Sequence, residues 1–463
     1  MIAIPLTYHA DSLQLLERIS KLDWPVMLDS SKGFSGHQID ILAANPLKRI
    51  HFDGNIFTIT CETPAQNLKT NNFTEVREFI DLTLKSYQTV PTSKYGPGWL
   101  GAVAYDFLQL AEQTNIKGTK NPEKDAFMLG FYPWIVVVDH SLEKTVLLGL
   151  KGQETQLHTL EKLLSGQTRA SNPDTNGNRS KAFHLTNSFK PDTSSEEYNQ
   201  AFQEVQRYIL AGDCYQINLT QRFSATYEGQ PAQAYIALRR QHGAPMACYF
   251  DYGSGVLCSL SPERFLKVED RAISTQPIKG TIGRGSDEES DNNLKQQLFL
   301  SGKDRAENVM IVDLLRNDLG KISKTGSVRT SKLFDIETFP NVHHMVSTIA
   351  AELRDDITCF DAFLACFPGG SITGAPKIRA MEIIEELESH ARDLYCGAFI
   401  YMPVTGYFDS NILIRSLVLK EGSIWCWGGG GVVADSLQDL EYQESITKIS
   451  QLMSILDRTF ETD

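Results

Sequence analysis

Five stretches of the sequence set polar groups into apolar patterns, and each suggests a chemistry. Lys279, in Gln276-Pro-Ile-Lys-Gly-Thr281, sits beside Gly280 at a turn. Such a lysine is ordinarily a solvated charge. It becomes a nucleophile if burial or a neighbouring cation lowers its pKa enough to leave a neutral amine near pH 7. Between Lys303 and Arg316, helical spacing puts Glu307 on one face with Met310, Ile311 and Leu314. A carboxylate on an apolar stripe needs a partner, either an arginine or a metal ion. Glu441, Glu444 and Lys448 share a face of the last helix, as an ordinary surface salt-bridge triplet or as groups aimed at one point. Carboxylates converging from two helices suit Mg²⁺, which takes one or two of them and leaves other positions to water and an anionic substrate.

The fourth stretch, Asn411 to Leu419, reads as a central strand apolar on both faces, yet it contains Arg415. A buried guanidinium needs a carboxylate, from the protein or from a ligand. Next to it, Trp427-Gly-Gly-Gly-Gly-Val432 is either a flexible turn or a cradle of backbone N–H groups for an anion. The fifth is the Gly-rich loop Phe367 to Arg379, which opens a helix. It lacks the Ser or Thr that must follow the lysine of a phosphate loop.

The elements that must hold these groups follow from periodicity. Residues 25–28, 134–138 and 145–150 read as strands, 73–86 as a helix and 96–101 as a Gly-rich turn, so the first part resembles an antiparallel sheet with few helices. Residues 166–195 are polar and aperiodic, a surface connection between a sheet-rich part, 1–165, and a second part, 196–463. There Thr193 or Ser194 caps a helix carrying Tyr198, Phe202, Val205 and Ile209, stopped by Gly212. The strand from Tyr215 to Phe223 turns Gln216, Asn218, Thr220 and Arg222 to one face. Helices at 303–315, 377–387 and 437–456 follow. The irregular alternation implies an α+β fold.

Composition narrows the function. The 44 basic and 57 acidic residues give a net charge of −13, which disfavours nucleic acid and anionic membranes as partners. An anionic ligand needs a local positive site. No apolar run is long enough to span a membrane. The eight cysteines form no C-x-x-C pair and sit among apolar residues, as reduced thiols of a cytoplasmic protein do.

Six ordered motifs, SLSPERF (259–265), PIKGT (277–281), KDRAENVMIVDLLRNDLG (303–320), VHHMVSTI (342–349), FPGGSITGAPKIRAME (367–382) and GGGGVVADS (428–436), together resemble the chorismate-utilising enzymes. The resemblance implies a four-layer α/β/β/α sandwich with two largely antiparallel sheets. It also implies Mg²⁺ on Glu307 and Glu444, with Asp304 and Glu441 nearby, binding the ring carboxylate of chorismate. Arg415 and Tyr395 hold the enolpyruvyl carboxylate beside N–H groups of Gly429 and Gly430, and Gly280, Thr281 and Lys448 complete the pocket. Glu263 protonates the leaving 4-hydroxyl, and His344 assists near the ring carboxylate.

PIKGT resembles the branch that aminates chorismate at C4 on the way to p-aminobenzoate and folate, in which Lys279 is the nucleophile. Anthranilate synthases, the alternative, carry PIAGT. Gln216 stands where relatives that add water to chorismate carry a lysine base. No Gly-x-Cys-x-Gly elbow occurs, so a separate glutamine amidotransferase subunit is implied as ammonia source. A non-catalytic binding subunit on the same fold is a further alternative, opposed by the joint presence of Lys279, Glu263, Glu307, Glu444 and Arg415. Relatives hold tryptophan in the first half. Here Met27-Leu-Asp-Ser30 keeps part of that pocket, while Met246 and the stretch Phe34 to Asp40 lack the expected aromatic and basic residues.

Overall fold

The computed structural model describes residues 1–30, 38–88, 93–111, 125–167 and 182–459. Positions 34–37 of the stretch expected to close a tryptophan pocket lie outside the described residues, as do 168–181 of the polar connection.

Two antiparallel sheets, of 13 and 12 strands among the described residues, face each other. The first runs from Ile2–Leu6 at one edge, through Val26–Asp29, to Gln216–Glu228 and His184–Leu185 at the other. The second runs from Ile278–Gly283, through Ala398–Pro403 and Gly98–Val103, to Leu68–Thr70. Alternation builds the layers: Val26, Ile41 and Ile135 join the core shared with the second sheet, while Met27, Leu42 and Trp134 pack under helices Leu13–Ile19, Glu154–Leu164 and Pro231–Gln241. Each such side chain contributes about 1.5–3 kcal/mol by leaving water. Helices Phe73–Tyr87, Gly302–Ile322 and Cys359–Cys366 cover the second sheet. The expected sandwich is the observed one.

In each sheet the strands of the first part form one contiguous block and those of the second part another. The blocks meet where Val26–Asp29 pairs with Met246–Asp251, and where Gly98–Val103 pairs with Ala398–Pro403. The capping helix starts at Ser194, whose hydroxyl accepts from Glu197 N at 3.2 Å while the Glu197 carboxylate accepts from Ser194 N at 2.8 Å. It ends at Gly212, φ 83°.

Two expectations are corrected. Residues 96–101 are mostly a strand, not a turn. A Cβ on Gly98 or Gly101 would lie 2.3 Å from Met402 O or 1.9 Å from Met128 O, so these glycines serve close backbone approach. Nor is Asn411 to Leu419 one strand. Phe408–Asn411 lies in the second sheet and Ser416–Lys420 in the first, and the chain crosses between them with Arg415 at φ 51°.

Candidate active site

A cavity of about 1090 Å³ opens against the end of the first sheet, and every residue lining it falls between Asn218 and Leu452. Lys279 and Glu263 meet there through one residue of the Gly-rich loop. Lys279 Nζ donates to the Ser371 carbonyl at 3.0 Å, and Ser371 Oγ donates to Glu263 Oε1 at 2.6 Å. Asn218 Nδ2 donates to the same carbonyl at 2.9 Å. Burial lowers the Lys279 pKa, helped by the Lys448 charge and opposed by Glu263, Glu307 and Glu444. Burial raises that of Glu263 against the pull of Ser371 and Lys279. A base pushed towards its neutral form beside an acid pushed towards its protonated form suits nucleophilic attack and leaving-group protonation.

Arg415 lies across the cavity. Its guanidinium makes no hydrogen bond or ion pair among the described residues, and burial lowers its pKa, with Glu263 opposing at a distance. An arginine so placed fits a ligand carboxylate. Tyr395 stacks flat on Trp427, centroids 5.7 Å apart. His344 Nδ1 and Thr281 Oγ1 are 2.7 Å apart, and burial, with the Arg415 and His343 charges adding, brings the imidazole down to about 3. His344 is therefore a neutral hydrogen-bonding group at any working pH.

The carboxylates gather at one end. Burial raises the Glu307 and Glu441 pKa values, with Glu444 adding to both and Asp304 to Glu307. Burial also acts on Glu444, but Lys448, 2.7 Å away, outweighs it and the net shift is downward. Gly430 leaves room for them, since a Cβ there would lie 3.0 Å from Glu441 Oε2 and 3.3 Å from Glu444 Oε1. No cluster of three or more His, Cys, Asp or Glu side chains able to hold an ion occurs among the described residues. Hard oxygen donors crowded by like charge do fit Mg²⁺, which needs one or two carboxylates.

The sequence profile of chorismate binding enzymes matches residues 36–454. The chain belongs to that family. Among curated relatives, aminodeoxychorismate synthase component 1 of Klebsiella aerogenes is 38% identical over 442 residues, 95% of each chain. That of Escherichia coli (strain K12) is 36% identical over 463 residues, 98% of each. Among solved structures, anthranilate synthase component I from Streptococcus pneumoniae TIGR4 aligns with a TM-score of 0.76 at 29% identity, covering 91% of this chain and 93% of that one.

In this chorismate binding enzyme, eleven of the thirteen residues expected at the site line the cavity: Lys279, Glu263, His344, Arg415, Tyr395, Gly280, Thr281, Gly429, Lys448, Glu307 and Glu444. Gln216 and Gly430 do not. Gln216 is 1% exposed and its amide fills the space over Gly431, where a Cβ would meet Nε2 at 1.9 Å. Gly430 faces the closing helix Gln438–Thr459 instead. Of the expected polar face, Asn218 and Thr220 reach the cavity, whereas Arg222 is paired with Asp192 at 2.6 Å.

The four glycines are not a turn. They continue the strand Ser423–Val432, paired residue by residue with Leu219 to Gln221 and Asn218. Ser416–Lys420 pairs only as far as Cys426, so beyond it the outer edge has no strand partner among the described residues, and alternate backbone groups of that edge point out of the ladder. Lys448 Nζ donates to Gly429 O there at 2.9 Å. Ser371, which the sequence reading does not single out, joins Lys279 to Glu263 through its carbonyl and hydroxyl. Its signal is a hydroxyl residue inside the glycine-rich loop that is also one of the six motifs.

Proposed function

We propose that this chain aminates chorismate at C4 to give 4-amino-4-deoxychorismate, for p-aminobenzoate and folate synthesis. The observation that carries the reading is Lys279, a half-buried amine with one hydrogen bond among the described residues, to a neutral carbonyl, in a cavity where Arg415 has no hydrogen bond or ion pair among them. Full-length relatives named aminodeoxychorismate synthase component 1 support it.

The Lys279 amine attacks C2 of the ring. The two ring double bonds shift, and the C4–O bond breaks as Glu263 gives its proton to the departing hydroxyl, releasing water. Ammonia then forms a bond to C4, the double bonds shift back, and the C2–N bond returns its electron pair to Lys279 as a neutral amine. The product's ammonium group returns a proton to Glu263, so the sum is chorismate plus ammonia to aminodeoxychorismate plus water. Arg415 and Tyr395 orient the enolpyruvyl carboxylate, and His344 with Thr281 borders the ring carboxylate. Mg²⁺, held by Glu307 and Glu444 with Asp304 and Glu441 nearby, would neutralise and anchor that carboxylate. Gly280 lets the Lys279 turn approach Asp304, with a Cβ position 3.0 Å from Oδ1.

A component 1 implies a second component, and we assign it the glutaminase role, because the chain contains no cysteine in a nucleophile-elbow context. Eight free cysteines suit a reducing, cytoplasmic setting, and no helix among the described residues is long and apolar enough to cross a membrane. The likeness to an anthranilate synthase structure favours a second reading, loss of pyruvate with formation of anthranilate, which Lys279 opposes. Mass spectrometry of the products from chorismate, Mg²⁺ and an ammonium salt separates the two. The expected product retains the enolpyruvyl group, and anthranilate with free pyruvate would overturn the proposal.

A further inference from the structure

Behind the cavity, and not lining it, lies a fully buried ion pair. Arg392 and Glu388 have side chains 1% and 4% exposed, with Nη2 to Oε1 at 2.6 Å and Nε to Oε2 at 2.9 Å. Every other side-chain hydrogen bond of the pair among the described residues runs to the two segments that meet at Ser371. Arg392 donates to the Ile372 carbonyl at 2.8 Å and to the Asn218 carbonyl at 2.6 Å. Glu388 Oε1 accepts from the amide and hydroxyl of Thr220 at 2.9 and 2.8 Å. The ring of Tyr105 closes over the guanidinium, 4.8 Å from its centroid. Asn218 N also donates to Thr373 O at 2.8 Å.

A well-packed apolar pair could fill this space at no loss of stability, because burying two charges costs about as much as their attraction returns. What an apolar pair could not do is hold two carbonyls and an amide at fixed separation. We propose that the Arg392–Glu388 pair is a positioning element for the reacting groups. It locks residues 371–373 against the Gln216–Glu228 strand, so that the Ser371 carbonyl and hydroxyl hold Lys279 and Glu263 in mutual register. The inference rests on the amination reading for its kinetic consequence, but not for its structural one.

The pair is therefore tested with two readouts on the purified full-length chain. The variants are Glu388→Gln, which keeps size and removes charge, Arg392→Lys, and the milder Thr220→Val, which removes one hydrogen bond to Glu388. In the first readout, a loosened register lowers kcat for ammonium-dependent amination by about ten- to a hundred-fold, with KM for chorismate changed by less than about three-fold. The limbs of the pH profile also move, since Lys279 and Glu263 lose fixed partners. In the second, limited reductive methylation followed by peptide mass spectrometry gives the pH dependence of Lys279 labelling without any turnover. The expected result is a labelling profile displaced from wild type in folded Glu388→Gln or Thr220→Val. Should Glu388→Gln not fold, Thr220→Val decides alone. Wild-type kcat, pH profile and labelling in a folded variant would overturn the proposal. A wild-type chain that forms no aminodeoxychorismate, but whose Lys279 labelling still shifts in the variants, would sink the amination reading and leave the positioning role standing.

Discussion

The large cavity differs instructively from a smaller one, of about 380 Å³, that lies at the seam where the two blocks of strands join. The seam cavity takes its walls from both parts of the chain, including Leu28, Tyr95, Met246 and Tyr401. Its cations and two of its three carboxylates are already matched, while the Glu337 carboxylate forms no hydrogen bond or ion pair among the described residues. Arg264 binds Asp409 through Nε and Nη2 at 2.9 and 3.3 Å, Asp29 is paired with Arg239, and Lys267 reaches Glu269 at 2.7 Å. In the large cavity, Arg415 has no hydrogen bond or ion pair and Lys279 bonds only a carbonyl among the described residues. A matched cavity contributes to its own stability, whereas an unmatched one awaits a ligand and weakens the fold until it arrives.

The largest expected effect follows from removing the unmatched amine. Lys279→Ala lowers amination by on the order of 10³-fold or more, as loss of a nucleophile does. It also abolishes the covalent adduct that intact-protein mass spectrometry detects with chorismate and Mg²⁺ in the absence of ammonia. Retention of the wild-type rate would remove Lys279 from the mechanism. Glu307→Gln and Glu444→Gln come next. Each is expected to weaken the Mg²⁺ activation constant by about 10–100-fold, no less than the loss of an outer-shell partner costs at a metal site. Activity that survives excess chelator in the parent protein would remove the metal role.

Smaller effects concern stability, and they have opposite signs in the two cavities. The folded-state pKa of Lys279 is lowered, so between that value and the ordinary lysine value the unfolded chain binds a proton that the folded chain does not, and stability falls as pH falls through that window. Lys279→Met removes this penalty and raises stability at pH 7 by about 1 kcal/mol. Arg264→Met leaves the Asp409 carboxylate without its cation, held only by the Tyr407 hydroxyl and the Ser410 amide, and costs about 2 kcal/mol. Denaturant melts of both variants at pH 7 check the pair, and like signs would erase the distinction between matched and unmatched cavities. The smallest expected effect is none at all. With Met246 in the wall of the seam cavity instead of a ring, the purified protein should release no tryptophan on denaturation and keep its rate in micromolar tryptophan. Release near one equivalent, or inhibition, would show that the seam still serves a ligand.

Legibility in the sequence tracked the range of the interactions. The helix from Ser195 to Ala211 was readable from both ends because a capping box and a left-handed glycine are local devices. The carboxylates of two distant helices could be paired only through the resemblance, since periodicity assigns a face and not a neighbour. The glycines misled in both places. At 98–101 and 428–431 they mark strands pressed against other backbone or side chains, a demand set by tertiary partners that a turn propensity cannot register. Ser371 was hidden for a related reason, as the partners Lys279, Glu263 and Asn218 of its hydrogen bonds lie 92, 108 and 153 positions away.

The crossing at Arg415 carries a lesson for anyone stabilising this protein. Its backbone sits at φ 51°, where a side chain with a Cβ is strained by about 1 kcal/mol or more and glycine is not. A screen scored on melting temperature alone would therefore favour Arg415→Gly, which relaxes the joint between the sheets and removes a half-buried cation that has no hydrogen bond or ion pair among the described residues. With Arg415 in its proposed role, the survivor would be hardier and would lose its hold on the substrate carboxylate. The backbone demand of the crossing and the proposed demand of a ligand pull this position towards different residues, so selection for melting temperature alone serves only the first.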